Sequence, residues 1–221
     1  MDMRIIFSFL SILLFAGCHH AQQAPAKSVN AKYSDKKEAK TMDTNIEIAT
    51  FGGGCYWCME AVFQRLEGVG KVESGFSGGQ VKHPTYKEVC TGTTGHAEVI
   101  QITFDTAKVS FTDLLKVFFT MHDPTTLNRQ GNDIGTQYRS VIFYHNDEQR
   151  KASEEIIAAL NQAHAYPDKI VTEVAPFDTF YKAEDYHQDY YNQNKTQGYC
   201  IYVIQPKIEK FEKVFKDRLK K

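Results

Sequence analysis

Apolar and polar positions first alternate regularly over Ile46–Phe51, the two-residue period of a strand half-buried in a sheet. Three glycines then break the strand. Beyond them Met59, Val62, Phe63 and Leu66 recur at i, i+3, i+4 and i+7, one face of a helix that Gly68 closes. Val72–Ser77 reads as a second strand, followed by a Gly-Gly break and a loop, QVKHPTYKEVC. From Glu98 the alternation is clean: Glu98, Ile100, Ile102 and Phe104 share one face, Val99, Gln101 and Thr103 the other. Ser110 with Asp113 three residues on has the pattern of a capping box. It opens a helix whose apolar face is Phe111, Leu114, Leu115 and Phe118. Gln137–His145 predicts a strand, and Asn146 with Gln149 opens a long helix that turns Ile156, Ile157 and Leu160 inward. A strand over Lys169–Ala175 and a last helix from Pro206 through Ile208, Phe211 and Phe215 complete the pattern.

Strands and helices interleave, but several connections are long and rich in Gly, Asn, Tyr and His. That combination predicts an α+β domain, with helices packed on a mixed sheet and functional loops gathered at one edge. The chain of 221 residues is long enough for one domain with a real core. Its formal net charge of −1, with the signs evenly mixed, gives no electrostatic case for nucleic acid. The basic run KVFKDRLKK at the C-terminus fits the solvent face of the last helix.

Before residue 45 the composition changes. MDMRIIFSFLSILLFAGC carries Arg4 and then an apolar run, Ile5–Phe15, of secretory-signal length and too short for a comfortable membrane span. It ends in Phe15-Ala16-Gly17-Cys18, which resembles a bacterial lipobox, so residues 1–18 are read as a lipoprotein-type signal ending at a lipidated Cys18. Residues 19–44 are polar, rich in Ala, Lys and Gln, and read as a flexible tether; residues 45–221 are read as the folded domain. The expected location is extracytoplasmic, in the periplasm or cell envelope, with a lipid anchor that tethers the chain without spanning the membrane.

Four cysteines remain after Cys18: Cys55, Cys58, Cys90 and Cys200. In FGGGCYWCMEAVF a strand, a Gly-rich turn and a helix put Cys55 at or just before the first helical turn, where unpaired N–H groups and the dipole favour a thiolate. A phosphate loop would need a Lys-Ser/Thr after the glycines, and zinc a second pair of ligands at short spacing; the stretch has neither, and no metal is expected. Cys55-x-x-Cys58 also fits a dithiol that acts on protein disulfides, although Tyr56 and Trp57 between the thiols are bulky and suit a pocket for a small apolar group. A third reading keeps the cysteines structural, in a non-catalytic lipoprotein. Glu98 ends a core-facing strand face, where desolvation would raise its pKa and make it a proton donor; alternatively it reaches solvent at the strand end. GNDIGTQYRS, residues 131–140, is a polar turn, and Tyr86 and Tyr138 sit in or beside such loops, where a phenol can donate a hydrogen bond.

Taken together, GGGCYWCMEAVF, PTYKEVCTGTTGHAEVIQITFD, HDPTTLNRQGNDIGTQYRSVIF and FYKAEDYHQDYYNQNKTQGYC resemble the peptide methionine sulfoxide reductase A family, in order and from about Ile46 to the end of the chain. Tyr56 stands where the family usually has Phe. The resemblance implies a two-layer sandwich with a ferredoxin-like core and reduction of the S epimer of methionine sulfoxide, free or in proteins. It implies Cys55 as nucleophile, Glu98 as the acid that protonates the sulfoxide oxygen, Tyr86 and Tyr138 as phenols bonded to that oxygen, and Asp133 as their polar support. Tyr56 and Trp57 would hold the substrate methyl group. Cys200 would resolve the resulting sulfenic acid from a mobile C-terminal loop, with Cys58 as backup or relay, while Cys90 would pack as a small hydrophobe and His187 would be structural. No bound cofactor is implied. The partners are an external thioredoxin-like or dithiol reductant and oxidised proteins, and the chain is expected to be a monomer.

Overall fold

A computed structural model describes residues 45–221; the signal-like segment, Cys18 and the tether lie outside the described residues. In chain order the elements are β1 (Ile46–Gly53), α1 (Tyr56–Phe63), β2 (Val69–Ser77), α2 (Tyr86–Cys90), β3 (Ala97–Asp105), α3 (Phe111–Met121), β4 (Arg129–Gln130) and β5 (Asp133–Ile134). There follow β6 (Ser140–Tyr144), α4 (Asp147–Gln162), β7 (Glu173–Pro176), β8 (Phe180–Lys182), α5 (Tyr190–Gln193), a π-helical turn (Cys200–Ile204) and α6 (Gln205–Val214). Six strands form one sheet in the order β7-β6-β1-β3-β2-β8, antiparallel except for β6 with β7.

The two faces of this sheet are both apolar, but unequally. Phe51, Ile100, Ile102 and Phe104 are fully buried on one face, together with Leu114 and Phe118 of α3, Phe63 of α1 and Phe211 of α6. Ala97, Val99, Val141 and Phe143 form a smaller cluster on the other, covered by Ala175, Phe177 and Phe180. The result is the expected α+β sandwich, a helical layer on a mixed sheet. Caps behave as the side chains dictate: Ser110 and Asp113 close a capping box on α3, and the Asn146 side chain accepts the Gln149 N–H at 2.8 Å.

Local pattern misled in five places. Gly52 and Gly53 do not break β1; they pair with Val141 and Ser140 of β6 and carry the strand to within two residues of Cys55. Helix α1 stops at Phe63 and is buried on nearly every side, so its apolar positions mark no single face, and Gly68 lies well past its end. The stretch read as a loop holds α2, opened by a full capping box of Thr85 and Glu88. The strand expected from Gln137 begins only at Ser140, after a 3₁₀ turn over Thr136–Tyr138, and the one expected from Lys169 only at Glu173.

Candidate active site

Cys55 is the N-cap of α1, with extended backbone (φ −60°, ψ 123°), and is 7% exposed. The residue before it explains the glycine run. Gly54 has φ +91°, and a Cβ there would meet Gln130 Cγ at 2.5 Å, so only glycine allows the chain to leave the strand under β4. At Gly52 a Cβ would meet Val141 Cγ1 at 2.8 Å; there the absent side chain serves close strand packing.

The N-terminal turn of α1 also binds the acid. The Tyr56 N–H donates to Glu98 Oε2 at 3.1 Å, across 42 residues of sequence. Glu98 is buried, as the strand face predicted, and desolvation pushes its carboxyl up to about 8, against the Tyr56 hydrogen bond that favours the carboxylate. At neutral pH it is therefore a carboxylic acid beside a thiol.

Cys58 lies one turn along α1, its N–H bonded to the Cys55 carbonyl at 3.1 Å, and the two thiols act on each other's protonation. Burial first, then Cys58 and Glu98, hold Cys55 well above the ordinary thiol range; the position at the helix N-terminus does not outweigh this, contrary to the sequence expectation. Cys58 moves the other way, down to about 7, chiefly through the hydrogen bond from Cys55, with Lys207 and Tyr199 adding to it. Such a pair gives up its first proton near neutrality and its second only far above it, because the remaining S–H stabilises the thiolate beside it.

Tyr86 begins α2, its N–H donating to Glu184 Oε1 at 3.1 Å, and Tyr138 ends the 3₁₀ turn. Both phenols are raised by burial first and then by nearby charges that include Glu98, so they stay protonated as donors. Asp133 Oδ2 accepts from the Tyr199 hydroxyl at 2.8 Å, and that oxygen lies 3.8 Å from Cys58 Sγ. Tyr56 is buried between Phe76 and His187, and Trp57 stacks on Tyr190 with centroids 3.7 Å apart and planes 7° from parallel. The Tyr56 hydroxyl and Trp57 Nε1 are buried with no protein hydrogen-bond partner, which leaves both as unspent polar atoms in an otherwise aromatic wall.

The structure thus brings Cys55, Cys58, Glu98, Tyr56, Tyr86, Tyr138 and Asp133 together around the first turn of α1. Cys200 is fully buried on the π-helical turn, with Cys58 the neighbouring thiol that acts on it. Cys90 is exposed rather than packed, and burial raises its pKa with the Tyr86 phenol opposing it. His187 is buried, its ring among Tyr56, Trp57, Tyr86 and Tyr186. Sequence reasoning missed Tyr199 and Tyr190 as site residues, although both stand in the segment FYKAEDYHQDYYNQNKTQGYC; a tyrosine beside a cysteine, and one in a run of aromatics, were the available signals. Among the described residues no group of three or more His, Cys, Asp or Glu could hold a metal ion.

Three kinds of comparison agree on what this arrangement is similar to. The family profile described as peptide methionine sulfoxide reductase matches residues 47–219. Peptide methionine sulfoxide reductase MsrA of Saccharolobus solfataricus is 57% identical over 175 residues, 79% of this chain and 98% of that protein. Among solved structures, Mxr1 from Saccharomyces cerevisiae in reduced form superposes with a TM-score of 0.64 at 33% identity, over 71% of this chain and 90% of that one. Methionine sulfoxide reductase A of Corynebacterium diphtheriae gives 0.63 at 37% identity, over 72% and 79%.

Proposed function

The chain belongs to the peptide methionine sulfoxide reductase A family, and we propose that it reduces the S epimer of methionine sulfoxide, free or in proteins, through Cys55. The observation that carries the reading is the pairing of a thiol at the N-cap of α1 with a protonated carboxyl held by the next backbone N–H. Sulfoxide sulfur is electrophilic only as its oxygen takes a proton. Glu98 supplies that proton, and the Tyr86 and Tyr138 phenols stabilise the developing charge on oxygen. Cys55 attacks sulfur, the S–O bond breaks, methionine leaves, and Cys55 is left as a sulfenic acid. The hydrogen bond from Cys55 to Cys58 gives the nucleophile's proton a path away from the reacting sulfur.

A sulfenic acid condenses with the nearest thiol. Cys58 holds that position, so we assign it the resolving step and place Cys200 second, as a relay that exchanges with Cys58 after a movement of the π-helical turn. This reverses the order that the resemblance implied. Recycling falls to a thioredoxin-like dithiol, because the product is a disulfide whose reduction needs only thiol exchange. Tyr56 and Trp57 would hold the substrate methyl group beside the thiol. The signal-like segment and Cys18 support an extracytoplasmic, membrane-tethered monomer, which makes a reductant on the same side of the membrane a requirement.

Stoichiometric turnover without reductant tests the chemistry: wild type should convert only the S epimer, and Cys55→Ser neither. Conversion of both epimers, or of neither, overturns the reading. Insulin disulfide reduction that survives Glu98→Gln while sulfoxide reduction is lost separates this activity from protein disulfide exchange. Cys18→Ser should move the full chain from the membrane fraction to the soluble one; a variant that stays with the membrane overturns the lipid anchor.

A further inference from the structure

We propose that Lys207 is a positioning residue of the resolving step, its ammonium holding Cys58 as the thiolate that attacks the sulfenic acid on Cys55. The proposal rests on the reading of Cys58 as the resolving thiol. Its starting point is a cavity of about 260 Å³ with Asp133, Tyr199, Val203 and Lys207 in its wall, where the Tyr199 hydroxyl donates to Asp133 Oδ2 at 2.8 Å and lies 3.8 Å from Cys58 Sγ. Tyr199, Val203 and Lys207 follow one another at four-residue spacing, so the helical segment turns all three toward the cavity. Ile204 and Ile208, fully and almost fully buried, pin that segment to the core, and α6 packs against α1.

Two features set Lys207 apart from the other cations. It is half-buried, and among the described residues no carboxylate lies within ion-pair distance of it, whereas Arg65, Lys71, Lys108, Lys116, Arg139 and Arg150 each have an acidic partner. A partly desolvated ammonium without a partner costs free energy unless its field is used. The groups that act on Cys58 come from every element around it: Cys55 at the head of α1, Glu98 on β3, Asp133 on β5, Tyr199 and Cys200 at the π-helical turn, and Lys207 on α6. Lys207 is the cation of this set, and its pull on Cys58 exceeds the opposing push of Asp133. Burial works against the Cys58 thiolate, and once Cys55 is oxidised and no longer offers its thiol, Lys207 and the Tyr199 hydroxyl are the groups that favour it.

The step balances without another reactant. The Cys58 thiolate forms the S–S bond, the S–O bond of the sulfenic acid breaks, and the departing hydroxide leaves as water with the proton that Cys58 gave up. Two measurements test the role of Lys207. In single turnover with S-methionine sulfoxide, the rate of disulfide formation should rise with pH through a midpoint about one unit higher in Lys207→Met than in wild type, about tenfold slower at neutral pH, and return to the wild-type plateau in alkali. Lys207→Arg should restore the wild-type profile. Thiolate absorbance at 240 nm, compared between Cys55→Ser and Cys55→Ser/Lys207→Met, should show the same upward displacement of the Cys58 titration. Unchanged midpoints in both measurements overturn the proposal, and so does a lowered plateau at an unchanged midpoint that Arg fails to rescue. If Cys58→Ser still closes a disulfide at the wild-type rate, the resolving assignment fails, while the absorbance titration still decides whether Lys207 acts on Cys58.

Discussion

The Tyr56 N–H and the Glu98 carboxyl meet at 3.1 Å, so the helix that presents Cys55 also holds Glu98. The N–H is fixed by the helix N-terminus, and the Glu98 side chain reaches it from a central strand, buried so that its carboxyl is held in place. A helix N-terminus would ordinarily keep a carboxyl ionised. Burial wins here.

Glu98→Gln should therefore retain the fold, since the amide oxygen still accepts from Tyr56, and lose about 10²–10³-fold in the sulfoxide step. The wild-type rate should be bell-shaped. It rises as the thiol pair loses its first proton near 7 and falls as Glu98 loses its own near 8. The stability sign is separate. The Glu98 pKa is raised on folding, so its contribution to stability is complete below the unfolded value near 4.5 and is lost as pH rises through about 8. Above pH 8 the Gln variant should thus unfold at a higher urea concentration than wild type, and a lower midpoint would contradict the burial argument.

Cys58→Ser should still release one methionine per molecule, because attack and protonation are untouched, but its sulfenic acid should persist and react with dimedone. Cys200→Ser should close its first disulfide at the wild-type rate and be slowed only in recycling. Mass mapping of the quenched disulfides checks both. A Cys55–Cys200 bridge forming first in wild type would reverse the assignment.

Gly54→Ala adds a methyl group where the backbone is left-handed and Gln130 stands 2.5 Å away. The expected cost is about 1–3 kcal/mol. Because the next residue is Cys55, the sulfoxide step should fall more steeply than stability alone would require. Thermal unfolding and single-turnover rates of the same sample compare the two.

His122 titrates structure rather than chemistry. It is buried, with Nδ1 bonded to the Phe118 carbonyl at 2.6 Å and Nε2 to Ser140 Oγ at 2.7 Å, and burial lowers it from 6.5 to about 4. A depressed pKa on folding means that stability is complete above the unfolded value and is lost as pH falls from about 6.5 to about 4. The loss should reach about 2–3 kcal/mol, read as a fall in the urea midpoint, and His122→Gln should flatten that dependence.

The sequence by itself determined what depends on neighbours in the chain. Alternation along Glu98–Phe104 fixed a strand and which of its residues face the helical core; Ser110 and Asn146 fixed two helix starts; a strand, glycines and a helix placed Cys55 at a helix N-terminus. Glu98 was legible as an acid because one end of a buried strand face is readable from its period. The tertiary structure alone decided the rest, since burial and electric fields act through space between residues far apart in sequence. The thiol of Cys55 is raised by the environment folded around it, and Cys58 is lowered by Cys55 and by Lys207, a residue 149 positions away that carried no local signal. Cys200 is buried near Cys58 because a helical turn, not a loop, carries it into the core.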